Sequence, residues 1–82
     1  PDIVYVHCVG YGSDGPYAGR PAYDDLVQAA ASAVSLNRLM DPDEEPRYIA
    51  TLAADKTTGL HAAYATLAAL FHRQRTGEGQ FV

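Results

Sequence analysis

The sequence predicts an α/β fold, in the order strand, glycine-rich loop, helix, extended piece, helix and the start of another strand. Three observations carry that reading. Residues 3–9 form a short apolar, β-branched run. Two later stretches, 22–39 and about 56–75, repeat apolar residues at three- and four-residue spacing. Between the run and the first stretch lies a cluster of Gly and Pro, which punctuates secondary structure. Strand and helix signals in this order belong to the α/β class.

The first run, Ile3-Val4-Tyr5-Val6-His7-Cys8-Val9, reads as a buried strand, with Ile3, Tyr5, His7 and Val9 on one face and Val4, Val6 and Cys8 on the other. Residues 10–21 hold four Gly and two Pro, so this loop takes special backbone conformations. In 22–39, Tyr23, Leu26, Val27, Ala30, Ala33 and Val34 mark an apolar helix face, with Asp24, Asp25, Gln28 and Ser32 opposite. Met40–Pro46 is an acidic, solvated turn. Arg47–Leu52 reads as a short strand or an extended lead-in. The second helix carries a stripe of Leu60, Ala63, Tyr64, Leu67, Leu70 and Phe71. Its other side, with Ala62, Ala65 and Ala69, is small enough for a neighbour to approach closely. Thr76-Gly77-Glu78-Gly79 stops it, and Gln80-Phe81-Val82 begins another strand.

Composition limits what such a chain can do alone. Of 82 residues, 48% are apolar, but 14 of these are Ala and 6 are Tyr. Ala buries little area, so the core is thin. A compact chain of this mass buries only roughly 63% of its unfolded surface. One Cys forms no internal disulfide, and three scattered His make no zinc spacing, so no metal is expected. The chain therefore reads as a single partial domain, 1–82, of something larger. A net charge of −4 argues against a nucleic-acid surface. No apolar run approaches a membrane span, and the lone Cys suits a cytoplasmic location.

Ligands in α/β folds favour the carboxyl ends of strands, here the loop after Val9 and the segment leading into the second helix. Asp55 stands in the latter. From position alone it is an N-cap, accepting a hydrogen bond from a first-turn amide. That role is compatible with a second, in which one oxygen is held by the helix terminus and the other is free to attack an acyl carbon. Gly10-Tyr11-Gly12 contains G-x-G without the rest of a dinucleotide fingerprint. It is either a tight turn or a loop whose amides approach a phosphate-bearing or thioester ligand. His7 reads as structural and Cys8 as an inert buried hydrophobe. His61 lies off the face of Asp55, and His72 suits a helix C-terminus.

Taken together, the segments resemble the family III CoA-transferases, the group that includes formyl-CoA transferase, carnitine CoA-transferase and α-methylacyl-CoA racemase. The likeness runs through Asp2-Ile3-Val4-Tyr5-Val6, Gly10-Tyr11-Gly12, Gly15-Pro16-Tyr17 and Arg20-Pro21-Ala22-Tyr23-Asp24. It returns at Ala54-Asp55-Lys56-Thr57-Thr58-Gly59 and continues in Leu67-Ala68-Ala69-Leu70 and Arg75-Thr76-Gly77-Glu78-Gly79-Gln80. Each motif alone is weak, whereas their order and spacing are specific.

The resemblance implies a segment of the large, Rossmann-like α/β domain of such an enzyme, in chains roughly five times longer that interlock as homodimers. It makes Asp55 the nucleophile that exchanges CoA between an acyl-CoA and a carboxylic acid, with coenzyme A as substrate and no metal. The loop matching Val9, Gly10, Tyr11 and Gly12 touches CoA and the substrate region. Val9 stands where one member has Lys, which puts a phosphate contact there in doubt. The racemase branch pairs the Asp with a His at the position of Tyr23. A phenol, with an ordinary pKa of about 10, is a poor replacement for that base, which favours transferase. A third reading is a truncated, non-catalytic chain that assembles through its Ala-rich faces. The 82 residues in isolation are expected to lack a complete site and to be inactive.

Overall fold

The computed structural model describes residues 1–82. The chain divides into two compact units, one of Pro1–Val9 with Thr57–Val82 and the other of Gly10–Lys56. Its elements are β1 (Val4–Tyr5), α1 (Asp24–Ala30), a 3-10 helix (Ala33–Leu39), α2 (Ala53–Thr76) and β2 (Gln80–Phe81). Helices and a small parallel sheet alternate, in keeping with the α/β class.

In the first unit β1 and β2 pair in parallel, Val4 opposite Gln80 and Tyr5 opposite Phe81. The amides of Gln80 and Val82 donate to the carbonyls of Ile3 and Tyr5, and that of His7 donates to Val82, at 2.8–3.1 Å. Tyr5 stacks on Phe81 at 5.4 Å, and His7 tilts against both rings, so Tyr5 and His7 share a face as the alternation predicts. The paired strand is Val4–Tyr5, shorter than the predicted 3–9, since the ladder bonds reach no further than His7. Cys8 and Val9 fall beyond it, and Cys8 is exposed rather than buried. Gly79 is required where it sits: a Cβ there would run into the Ile3 carbonyl.

Helix α2 begins three residues earlier than predicted and ends one later. Gly77, at φ 78°, closes it, and its amide donates to Arg73 at 2.8 Å. A left-handed residue after a helix suits Gly because no Cβ clashes. Among apolar side chains only Ala69, 6% exposed, is buried. Ala62 and Ala65 are half-buried, whereas Leu60, Tyr64, Leu67 and Phe71 stand out into solvent.

In the second unit the glycine-rich loop is a chain of turns, with Gly15 donating to Gly12, Ala18 to Gly15 and Arg20 to Tyr17. The continuous helix predicted over 22–39 is broken. The amides of Ala31 and Ser32 turn back to Val27 and Ala29, and Ser32 sits at φ 60°, a left-handed conformation that stops the α-helix. The chain resumes as the 3-10 helix. Asn37 Nδ2 then pins the acidic turn by donating to Glu44 Oε2 at 2.9 Å and the Glu45 carbonyl at 2.7 Å. Arg47–Leu52 is irregular, with no strand pairing.

Candidate active-site cleft

Helix α1 buries the side that the hydropathy pattern turns outward. Asp24 and Gln28 are 7% and 4% exposed, while Tyr23 and Leu26 face solvent. The reason is hydrogen bonding. Asp24 and Gln28 are one helical turn apart, where side chains meet, and Gln28 Nε2 donates to Asp24 Oδ2 at 2.6 Å. The same Nε2 donates to the Thr51 carbonyl at 3.2 Å. Gln28 Oε1 accepts the Ile49 amide at 2.9 Å. Burial of these polar groups is tolerated because their bonds are made.

The other Asp24 oxygen, Oδ1, accepts the main-chain N–H of Asp55 at 2.8 Å. This corrects the expectation that Asp55 is an N-cap. The Leu52 carbonyl accepts the Lys56 amide at 3.0 Å, the first bond of α2, so Leu52 holds the N-cap position and Asp55 is third in the helix. Leu52 has no side-chain acceptor. The cap is supplied across space by a carboxylate from α1. The Asp55 amide holds the Asp24 carboxyl below its ordinary value of 3.8; partial desolvation opposes this, while Gln28 and the Ala54 and Ala53 amides reinforce it. An anion at a helix N-terminus is also favoured by the aligned peptide dipoles.

Around this junction lies an open cleft of about 590 Å³, with Tyr23, Asp24, Gln28, Tyr48, Thr51 and Asp55 among its walls. Asp55 is exposed, and the hydrogen bonds at this end of α2 engage its amide and leave its carboxylate facing solvent. Lys56 Nζ is turned to the Thr51 hydroxyl.

The cleft thus brings together two of the residues singled out from sequence, Asp55 and Tyr23. Tyr11 lies elsewhere in the same unit, in a smaller groove of about 380 Å³ with Tyr17, Arg20 and Leu26. There Arg20 stacks over the Tyr17 ring at 5.1 Å, and the Tyr11 and Tyr17 rings meet at 5.4 Å. Gly10 packs so closely on Ala22 that a Cβ would collide with the Ala22 methyl, a structural reason for glycine there. Gly12 accepts the Gly15 amide in its turn. Val9 is exposed, four residues beyond β1 in the first unit. No group of three or more His, Cys, Asp and Glu side chains is placed to hold a metal. No helix is long and apolar enough to cross a membrane.

Sequence reading missed Asp24 and Gln28 because it sorted α1 by hydropathy. One signal in the sequence pointed to them: the four-residue Asp24/Gln28 spacing on a helix.

Comparison with known proteins adds the family. The pattern that defines CoA-transferase family III matches residues 1–82. The chain is 37% identical over 82 residues to the succinate–glutarate CoA-transferase of Agrobacterium fabrum, covering all of this chain and 20% of that protein. It is 35% identical over 82 residues to the formyl-CoA:oxalate CoA-transferase of Escherichia coli, covering 19% of that protein. The chain therefore spans about a fifth of the length of the curated relatives it matches. No solved structure matches it.

Proposed function

From its membership of CoA-transferase family III, to which this chain belongs, we propose that it carries the nucleophile of an enzyme exchanging CoA between an acyl-CoA and a carboxylic acid, and that Asp55 is that nucleophile. The observation that carries the reading is the state of Asp55. Its main chain is fixed by Asp24, while its carboxylate stands exposed on the wall of the cleft.

The chemistry suits a carboxylate. Asp55 attacks the donor thioester carbonyl, forming a mixed anhydride and releasing CoA thiolate. The thiolate attacks the aspartyl carbonyl, giving an aspartyl–CoA thioester and the free donor acid. The acceptor carboxylate attacks that thioester, forming a second anhydride and freeing the thiolate again. Thiolate attack on the acceptor acyl carbon then yields the new acyl-CoA and restores Asp55. No oxidant and no net proton enters. The loop at Val9, Gly10, Tyr11 and Gly12 is assigned to CoA, and Tyr23 to the substrate region beside Asp55. The same reading places the fold within a larger Rossmann-like domain and the working enzyme in the cytoplasm as a homodimer.

The test uses the protein at its natural full length. Asp55→Ala is expected to abolish CoA transfer with the fold intact. Hydroxylamine added during turnover with acyl-CoA is expected to leave a mass shift on Asp55. Transfer that persists at the wild-type rate in Asp55→Ala overturns the reading.

A further inference from the structure

Resting on the aspartyl reading above, we propose that Asp24 and Gln28 are positioning residues for Asp55: a buried carboxylate–amide pair that fixes the first turn of α2 and leaves the Asp55 carboxylate free for the cleft. Each polar atom of the pair has a role. Asp24 Oδ1 takes the Asp55 amide, and Oδ2 takes Gln28 Nε2. Gln28 Nε2 also reaches the Thr51 carbonyl, and Oε1 takes the Ile49 amide. The side-chain amide has only one orientation that satisfies all of these, because Ile49 offers a donor and the other two offer acceptors. Two side chains therefore join α1, the irregular 49–51 segment and the start of α2.

The need for such a device follows from Leu52. A helix whose N-cap residue has no acceptor leaves its first-turn amides unsatisfied. An N-cap side chain ordinarily accepts the N–H of the third helical residue. Leu52 cannot, and Asp24 Oδ1 takes that N–H, which is the one of Asp55, in its place. The bond fixes the main chain of Asp55 and leaves its carboxylate out of the cap. Asp24 and Gln28 touch no reacting atom, so their effect is on geometry: a nucleophile displaced by about 1 Å loses up to about a hundredfold in rate.

The experiment is a cycle in the full-length protein: Asp24→Asn, Gln28→Glu, the two combined, and Asp55→Ala, each assayed for kcat and for KM of the acyl-CoA. Asp24→Asn sets an amide donor against the Gln28 donor, and Gln28→Glu sets a second carboxylate against Asp24. Each single change is expected to lower kcat by about ten- to a hundredfold with little change in KM. Combined, the two reverse donor and acceptor within the pair and keep the acceptor for the Ile49 amide, losing only the longer bond to the Thr51 carbonyl, and kcat is expected to recover by about fivefold or more over the worse single variant. Such a rescue, with KM untouched, is not produced by general loss of fold. If the single variants prove insoluble, Gln28→Met, which keeps the volume and removes only the polar bonds, is expected to show the same kcat loss. Wild-type kcat in the single variants, or a double variant no better than the worse single, overturns the positioning role alone when Asp55→Ala is dead. Full activity in Asp55→Ala overturns the aspartyl reading and this inference with it.

Discussion

Helices α1 and α2 both disobey their hydropathy patterns, in opposite ways. In the second unit α1 hides an aspartate and a glutamine and leaves Tyr23 and Leu26 outside. In the first unit α2 buries a single alanine among its apolar side chains and leaves Leu60, Tyr64, Leu67 and Phe71 in solvent. The buried polar pair of α1 is hydrogen-bonded at each named atom, so its arrangement is specific. The outer stripe of α2 meets no partner within these 82 residues. Here the buried polar pair, and not the apolar stripe, dictates local geometry.

The largest effect on structure that this contrast predicts comes from Gln28→Leu, a swap of similar size that removes every polar bond of the side chain. The Ile49 amide and one Asp24 oxygen lose their side-chain partner, and the part-buried Ile49 bond alone is worth about 0.5–1.5 kcal/mol. Amide exchange at Ile49 and along the first turn of α2 is expected to accelerate, with the β1–β2 amides unchanged. Equal acceleration in both units would show that the pair has no local role.

How much of this was readable beforehand follows the same division. Local signals were legible. The Gly and Pro cluster marked the loop, Gly77 marked the end of α2, and alternation placed Tyr5 and His7 on one face. Asp55 was singled out by its place at the start of a helix. What was not legible depended on partners distant in sequence. The pairing of β1 is with Gln80–Phe81, far along the chain, which a local pattern does not encode. The break at Ser32 is a backbone conformation that hydropathy does not encode. The cap on α2 comes from 31 residues away, so a rule that looks within the helix assigns it to Asp55 instead of Asp24.

Acid sharpens the comparison next. The Asp24 carboxyl is held below 3.8 in the folded chain, first by the Asp55 amide. Its ionised form is thus preferred in the folded state. The stabilisation is fully present above pH 3.8 and is lost as the pH falls through the lower folded value, where the carboxyl protonates and accepts less well. Asp25, Asp55 and Lys56 are the charged neighbours on the same elements and remain in both proteins compared. Circular dichroism is expected to show α-helix weakening on acidification below about pH 4 in the wild type. The Asp24→Asn variant, already weaker at neutral pH, is expected to lack that component. Parallel acid profiles would mean that Asp24 does not hold the start of α2.

The smallest effect belongs to the stripe on α2. Leu67 is 66% exposed, so Leu67→Ser in the 82-residue chain removes little packing. Surface changes of this kind stay within about 0.5 kcal/mol. Helicity and amide exchange along α2 are expected to match wild type. Sedimentation is expected to show less self-association, because an exposed apolar stripe is what drives such chains together. A loss of about 2–5 kcal/mol, the range for truncating a packed leucine, would mean that Leu67 is covered. The stripe would then be as tightly specified as the Asp24–Gln28 pair, and the contrast between the two helices would disappear.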